Sequence, residues 1–174
     1  IDLLAESRQS AQAAGVLYGD LLAGQERLEW RTAWARLLRR QAQVSRALGL
    51  PDQAEVDLAS ALDLYRQAGD GATERLRADE MEVLADRGAL RIAQERWDEA
   101  LADLDSALDC AASVGRKSAP FLARVSRCHL ERARIHWRLG RAGEAVQDFD
   151  RALEFWPEKL DRAFLQEVSC GRSG

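Results

Sequence analysis

Residues 139–157 read LGRAGEAVQDFDRALEFWP, and two earlier stretches closely resemble this one. They are LGLPDQAEVDLASALDLY at residues 48–65 and QERWDEALADLDSALDCA at residues 94–111. Each has an alanine, a large apolar residue four positions later, an alanine three positions after that, and then a leucine. These residues are Ala54, Leu58, Ala61 and Leu62, then Ala100, Leu104, Ala107 and Leu108, then Ala145, Phe149, Ala152 and Leu153. Because such spacings keep side chains on one helical face, the chain carries three copies of one amphipathic helix.

The composition of the 174 residues is that of an ordered, helical protein. Apolar residues make up 47% of the chain and charged residues 31%, and only three prolines are present. Alanine, leucine, arginine, glutamate and glutamine dominate, and all five are good helix formers. Alternating runs of β-branched residues, which are typical of strands, are missing. We therefore predict an all-α fold.

Another helix is predicted before each copy of the repeated one. Residues 25–48, 72–95 and 120–139 each carry an apolar stripe with the period of an α-helix. Turn signals such as Gly49 and Gly140 follow these segments, and Ser118 with Pro120 is a helix-start signal. We predict three antiparallel hairpins, which pair residues 25–48 with 52–69, residues 72–95 with 97–114, and residues 120–139 with 142–155.

The hairpins are predicted to form one repeat domain over residues 1–170. Its repeats cover residues 25–69, 72–114 and 120–157 approximately. A flanking helix at residues 2–23 partly repeats the alanine motif, and residues 158–169 have the single apolar face of a terminal capping helix. Residues 171–174 are predicted to be a tail. Since the chain begins with Ile1, we expect it to be a piece of a longer protein.

The third unit resembles a tetratricopeptide repeat. Its turn glycine, its small–aromatic–small pattern and its closing proline are Gly140, then Ala145, Phe149 and Ala152, then Pro157. The second unit adds Gly88 at the small position of the family's first helix, and the first unit keeps Gly49 in the turn. The family period is about 34 residues, whereas the motif alanines here are 46 and 45 residues apart. The resemblance therefore implies a long-helix variant of the family and an α-solenoid of antiparallel helical hairpins.

In tetratricopeptide arrays the first helices line a concave groove, and here these helices are basic. The net charge totals +7 over residues 26–48, 72–96 and 121–139, whereas it totals −10 over residues 52–69, 97–114 and 141–155 of the second helices. The resemblance places these residues in the groove: Arg36, Arg39, Gln43, Arg46, Ala89, Arg127, Arg134, Trp137 and Arg138. In members that bind a C-terminal carboxylate, basic and amide side chains form a clamp, which Arg39, Gln43 and Arg127 match in part. Asp86 and Glu131 stand where that clamp needs an amide and a base.

The predicted function is a protein–protein interaction scaffold that binds an acidic segment with an apolar anchor in this groove. Arginine binds carboxylates in a bidentate manner, and an exposed Trp137 would serve as an anchor. The alternative for the same arginines is an ordinary solvated helix face, since arginine is abundant throughout the chain. A second function hypothesis is a regulatory or sensor segment of a larger multidomain enzyme or signalling protein. Nucleic-acid binding is disfavoured by the acidic second helices and by the net charge of −4.

No catalytic, cofactor or metal site is expected from the titratable residues. His129 and His136 lie seven residues apart, about 10.5 Å along a helix, and both fall on the packing stripe of their helix. We predict that both are core residues rather than metal ligands. Close carboxylate pairs such as Asp103 and Asp105 diverge on a helix and so do not converge on a substrate.

The cysteines and the hydropathy bear on the compartment of the protein. Cys110, Cys128 and Cys170 are odd in number and far apart, which predicts a reducing, cytoplasmic environment rather than a disulfide framework. No apolar run approaches the ~20 residues that a membrane span requires. We therefore predict a cytoplasmic protein that binds a protein or peptide partner and no membrane.

Overall fold

The computed structural model describes residues 24–67, 73–115 and 118–155, together with Ala13, and all regular structure in this part is helical. Six helices follow one another in the described ranges 24–67, 73–115 and 118–155: α1 Gly24–Ala47, α2 Pro51–Arg66, α3 Glu74–Ala93, α4 Trp97–Ala112, α5 Ala119–Arg138 and α6 Ala142–Phe155. They pack as three hairpins, α1 with α2, α3 with α4 and α5 with α6. The predicted all-α class and its helical hairpins are confirmed. The helices predicted at residues 2–23 and 158–169 and the tail at 171–174 lie outside the described residues.

The chain divides into two compact units, Ile1–Val114 and Gly115–Gly174. In the first unit α2 packs against α3, and α1 also contacts α3, so that the first two hairpins stack. The second unit contains the hairpin of α5 and α6. The single domain over residues 1–170 stays a prediction.

The same turn joins the two helices of every hairpin. After α1 the amide of Gly49 donates to the Arg46 carbonyl (3.1 Å) and that of Leu50 donates to the Ser45 carbonyl (2.9 Å). These two hydrogen bonds close a helix when the residue that follows the last helical turn has a positive φ. That residue is Gly49 (φ +73°), Glu95 (φ +59°) and Gly140 (φ +74°) in the three hairpins. The glycines were predicted as turn signals, whereas Glu95 adopts the same left-handed conformation with a side chain.

The first helix of the second hairpin and that of the third each begin at a side-chain cap. The hydroxyl of Thr73 accepts a hydrogen bond from the amide of Leu76 at the start of α3, and Ser118 accepts one from Phe121 at the start of α5. Such caps satisfy amides that have no partner within the helix. The predicted start signal at Ser118 and Pro120 is therefore confirmed.

The motif alanines form the seam between the helices of each hairpin, and all six are buried. Gly88 of α3 lies against this seam, because a Cβ built on it would lie 3.3 Å from Leu104 Cγ and 3.6 Å from the Ala100 carbonyl oxygen. Small residues thus allow the backbones of α3 and α4 to approach closely.

The large motif residues differ in burial between hairpins. Leu58, Leu62 and Leu104 are buried, but Phe149 is half-buried and Leu153 is exposed. The physical reason lies in the neighbours: α2 is covered by the following helix α3, whereas α6 is the last of the described helices. The repeated sequence therefore predicts the contacts inside a hairpin better than those between hairpins.

Candidate functional site

The predicted groove arginines of α1 are ion-paired with α3. Arg36 Nε donates to Asp79 Oδ2 (3.0 Å), and Arg39 Nε donates to Asp86 Oδ2 (2.7 Å). Arg39 Nη1 also donates to Glu82 Oε2. Hydrogen bonding to Asp79 raises the pKa of Arg36. Burial alone would lower the pKa of Arg39, but the charges and hydrogen bonds of Asp86 and Glu82 together outweigh it and raise this pKa. The positive charges of Arg36 and Arg39, which the sequence predicts to face a groove, are therefore paired with carboxylates of α3 within the first unit.

The partial resemblance to a carboxylate clamp has a structural counterpart in Asp86. The carboxylate of this buried residue accepts a hydrogen bond from Gln43 Nε2 (2.9 Å) as well as from Arg39. Two of the three side chains that match the clamp thus bind a carboxylate of the chain itself. Of the other predicted groove residues in this unit, Arg46 is exposed and Ala89 is half-buried.

The predicted residues of α5 form an exposed face. Arg127, Arg134 and Arg138 lie seven and four residues apart, which places them on one side of the helix. The side chain of Arg127 is 60% exposed and that of Arg134 is 50% exposed, and Trp137 beside them is also 50% exposed. Arg127 and Arg134 share Glu131, with nitrogen–oxygen distances of 3.8 and 3.4 Å. This exposed face therefore presents arginine side chains beside an indole ring.

Sequence reasoning missed a buried aspartate that recurs in every hairpin. Asp57, Asp103 and Asp148 each lie three residues after the first motif alanine, and all three are nearly inaccessible to solvent. The sequence carries a signal for it, because an aspartate directly precedes the large apolar motif residue in all three repeats. A charged residue at a constant position on the apolar face indicates a buried, paired charge.

In the second hairpin this aspartate binds two arginines of α3. Arg87 forms a fork with the Asp103 carboxylate, with bonds of 2.6 and 3.0 Å, and Arg91 Nη1 donates to it at 2.9 Å. Arg91 also donates to Glu55 of α2 (3.2 Å), and Arg96 donates to the same carboxylate. These hydrogen bonds lower the pKa of Glu55, with that from Arg96 the largest cause. The network therefore ties the first hairpin to the second.

In the third hairpin the aspartate lies beside both histidines of the chain. His129 Nδ1 lies 3.0 Å from Asp148 Oδ1, and His136 Nε2 lies 3.8 Å from Oδ2. Arg132 Nε donates to Asp148 Oδ2 at 2.8 Å. His129 is buried and also stacks on Phe155. Both histidines thus take part in packing, and the described residues contain no group of three side chains placed to hold a metal ion.

We expect the Asp148 cluster to make the third hairpin sensitive to acid. Burial alone would raise the pKa of Asp148, but hydrogen bonds from His129 and Arg132 outweigh it and lower the pKa. A lowered pKa stabilises the folded state above the ordinary aspartate pKa of about 3.9, and this stabilisation is lost as the pH falls through the folded value. Asp148→Asn should therefore cost about 2 kcal/mol at pH 5 and progressively less towards pH 2.

Urea unfolding of the wild type and of Asp148→Asn between pH 5 and pH 2 measures this difference. Asp150→Asn, on the exposed side of α6, serves as the control. If the free energies of unfolding of the wild type and of Asp148→Asn differed by the same amount at every pH in this range, the role given to the Asp148 carboxylate would be contradicted.

Two cysteines, Cys110 and Cys128, lie among the described residues. Cys110 and Cys128 are thiols, and burial raises the pKa of Cys110 to about 11, which keeps it protonated at neutral pH. None of the described helices combines the length and the apolar character that a membrane span requires.

Two solved structures of helical-repeat proteins resemble the chain. BtubC from P. vanneervenii superposes with a TM-score of 0.58 at 16% identity over 82% of this chain and 49% of BtubC. A point mutant of MamA superposes with a TM-score of 0.50 at 16% identity over 86% of this chain and 98% of MamA. No protein-family model and no curated protein match the chain. The chain therefore has a fold found in helical-repeat proteins and spans about half the length of BtubC.

Proposed function

We propose that this chain is a tetratricopeptide-like interaction module of about 45 residues per repeat, which binds an acidic protein segment through α5. The observation that carries the proposal is the exposed basic and aromatic face of Arg127, Arg134, Trp137 and Arg138. The role is binding rather than catalysis. A cytoplasmic location is part of the proposal and rests on the cysteine content.

Two physical arguments support α5 over α1 as the binding helix. The guanidinium groups of Arg36 and Arg39 already bind carboxylates of α3, so that a ligand would have to displace bonds of 3.0 and 2.7 Å. The pair between Arg127 and Glu131 is longer, at 3.8 Å, and an incoming carboxylate can form a shorter, charge-assisted bond to Arg127. Trp137 supplies apolar area beside these charges, as tryptophan does at the centres of many protein interfaces.

We expect the double variant Arg127→Glu/Arg134→Glu to weaken binding of an acidic peptide about tenfold or more. A labelled helical peptide of about 20 residues, rich in glutamate and with leucine on one face, is a suitable probe. Fluorescence anisotropy with the full chain at several salt concentrations gives the affinity and its salt dependence. The wild type should lose affinity as salt rises, and the double variant should show a flatter dependence.

The matched control is Arg151→Glu. Arg151 lies on α6 and is 62% exposed, which is close to the exposure of Arg127, and it likewise has an ion-pair partner on its own helix. This variant should bind the peptide as the wild type does. Equal losses in both variants would indicate a general charge effect and contradict the proposed surface. Equally tight binding of single-stranded RNA would indicate a nucleic-acid binder instead.

A further inference from the structure

One side of α6 is more exposed than the side of α2 that corresponds to it in the repeat. The first motif alanines of these two helices are 91 residues apart, so that Leu62 of α2 corresponds to Leu153 of α6, and Leu58 to Phe149. Leu62 and Leu58 are buried, whereas Leu153 is 43% exposed and Phe149 is half-buried. In α2 this side is covered by α3, which is the next helix along the chain. The same side of α6 is therefore a surface on which a following helix can pack.

A third position on this side indicates what kind of helix fits α6. In α2 the position holds Glu55, which accepts hydrogen bonds from two arginines of the second hairpin. In α6 the same position holds the half-buried Val146. Val146, Phe149 and Leu153 lie at i, i+3 and i+7, and we call these three residues the outer face of α6. Because this face is apolar throughout, the helix that covers it needs apolar residues and not arginines.

The sequence that directly follows α6 carries a matching apolar pattern. Leu160, Phe164 and Val168 lie at i, i+4 and i+8, which places them on one side of a helix over residues 158–169. Pro157 is typical of the first turn of a helix, where it costs no hydrogen bond. A helix over this range would be about 18 Å long, whereas the outer face of α6 spans about 10.5 Å. The segment is thus long enough to cover the whole face.

We propose that residues 158–169 form a helix that folds back on the outer face of α6 of the same chain. The arrangement repeats the relation of α3 to α2, in which the next part of the chain covers the preceding second helix. Antiparallel helices can be joined by as few as two residues, and Trp156 with Pro157 would form this connection. A segment tethered so closely has a local concentration on the order of millimolar or more, which favours it over a separate protein. The inference is independent of the proposed function, because it concerns α6 and not the exposed face of α5.

The hairpins of the structure show which residues face each other in such a pair of helices. Arg87 lies six residues before the last residue of α3, and it binds Asp103, which lies six residues after the first residue of α4. Arg132 and Asp148 have the same two positions in α5 and α6, and they also bind each other. Residues at equal distances from the turn therefore meet across a hairpin of this protein.

This rule pairs the outer face of α6 with the apolar residues that follow it. Leu153 lies two residues before the last residue of α6, and Leu160 lies two residues after residue 158. Phe149 and Phe164 lie six residues before and after the same two positions. The valine of the outer face then lies opposite the last turn of the segment, which contains Val168. Each apolar residue of α6 thus meets a residue of its own type, and the two phenylalanines can form an aromatic pair.

Hydrogen exchange of the full chain tests whether the segment packs on α6. We expect the amides of residues 160–168 to exchange at least about tenfold more slowly than in an isolated peptide of residues 156–174. Leu153→Glu places a charge on the outer face and should remove this protection, while the exchange of α5 stays unchanged.

The matched control is Arg151→Glu, which introduces the same residue at another exposed position of α6. Arg151 lies on a different side of the helix from Leu153, so this variant should keep the protection of the segment. Exchange in the wild type as fast as in the isolated peptide would overturn the proposal. Equal exchange of the segment in Leu153→Glu and Arg151→Glu would also overturn it.

Disulfide cross-linking tests the register, because a disulfide forms only between cysteines whose Cα atoms lie within about 7 Å of each other. The background is the full chain with Cys110→Ser and Cys170→Ser. In it, Leu153→Cys/Leu160→Cys should cross-link at least about tenfold faster than Leu153→Cys/Val168→Cys. Equal rates, or a faster second pair, would overturn the register. Cross-links between two chains would identify a second copy as the occupant of the outer face and would overturn the proposal.

Discussion

Replacing Asp103 with alanine is expected to lower the free energy of unfolding by about 3 kcal/mol. The carboxylate of Asp103 is buried between α3 and α4, where it accepts hydrogen bonds from Arg87 and Arg91. Arg91 retains bonds to Glu55 when Asp103 is removed, but Arg87 loses the fork by which it is held. Because the Arg87 side chain is only 14% exposed, its charge would remain largely desolvated without a matching carboxylate.

Asp105→Ala is the matched control for this variant. Asp105 lies two residues further along α4 and is exposed, so the same change should alter the free energy of unfolding by no more than about 0.5 kcal/mol. Asp103→Asn should fall between the two, because an amide keeps the acceptor but not the charge. Urea unfolding at pH 7 measures all three variants. A cost for Asp103→Ala as small as that for Asp105→Ala would show that the buried network contributes nothing to stability.

The helices and turns of this fold could be predicted from the sequence because their signals are local. The motif alanines lie on one helical face, and Gly49 and Gly140 close helices where the sequence predicts a turn. Periodicity specifies which side of a helix is buried, and this information was sufficient for the three hairpins. Glu95 is the exception, since nothing about a glutamate signals a left-handed conformation.

The charge of the predicted groove could not be derived in the same way, because a sum over a helix ignores which charges meet. Arg36 and Arg39 add to the positive total of the first helices, yet both are bound to carboxylates of α3. These carboxylates are 43 to 47 residues away in the sequence, and only the packing of α1 on α3 brings them within reach. The exposure of Trp137 could be predicted without knowing any distant partner, and Trp137 is exposed in the structure.

The partners of the buried aspartates also could not be predicted from the repeated pattern. Asp103 and Asp148 hold a constant place in the motif, and each binds an arginine that lies 16 residues earlier, Arg87 or Arg132. Their second partners differ, because Asp103 binds Arg91 and Asp148 contacts His129. These two hairpins keep the aspartate and one arginine and vary the second partner. Pattern recognition based on apolar residues therefore detects the fold and overlooks the polar contacts that fix its register.

Gly88→Leu is expected to lower the free energy of unfolding by about 3 kcal/mol, because α3 and α4 touch at this position. The Cβ alone would lie 3.3 Å from Leu104 Cγ and 3.6 Å from the Ala100 carbonyl oxygen, so the rest of a leucine side chain has no space. The two helices would have to separate along the motif alanines, which would expose apolar surface. Thermal unfolding should show a fall in the midpoint of about 6–12 °C for a chain of this length.

A rescue experiment assigns this loss to the contact with Leu104 rather than to the helix itself. Leu104→Ala alone should cost about 2–5 kcal/mol through the cavity that it creates, but in the Gly88→Leu background it opens space for the new side chain. The double variant should then be at least about 1 kcal/mol more stable than the sum of the single losses predicts. Gly143→Leu makes the same change on α6, where no other atom would approach the new Cβ, and should alter stability little. Strict additivity of the two changes would mean that α3 and α4 do not pack through Gly88 and Leu104, and the hairpin seam deduced from the repeated alanines would have to be placed elsewhere.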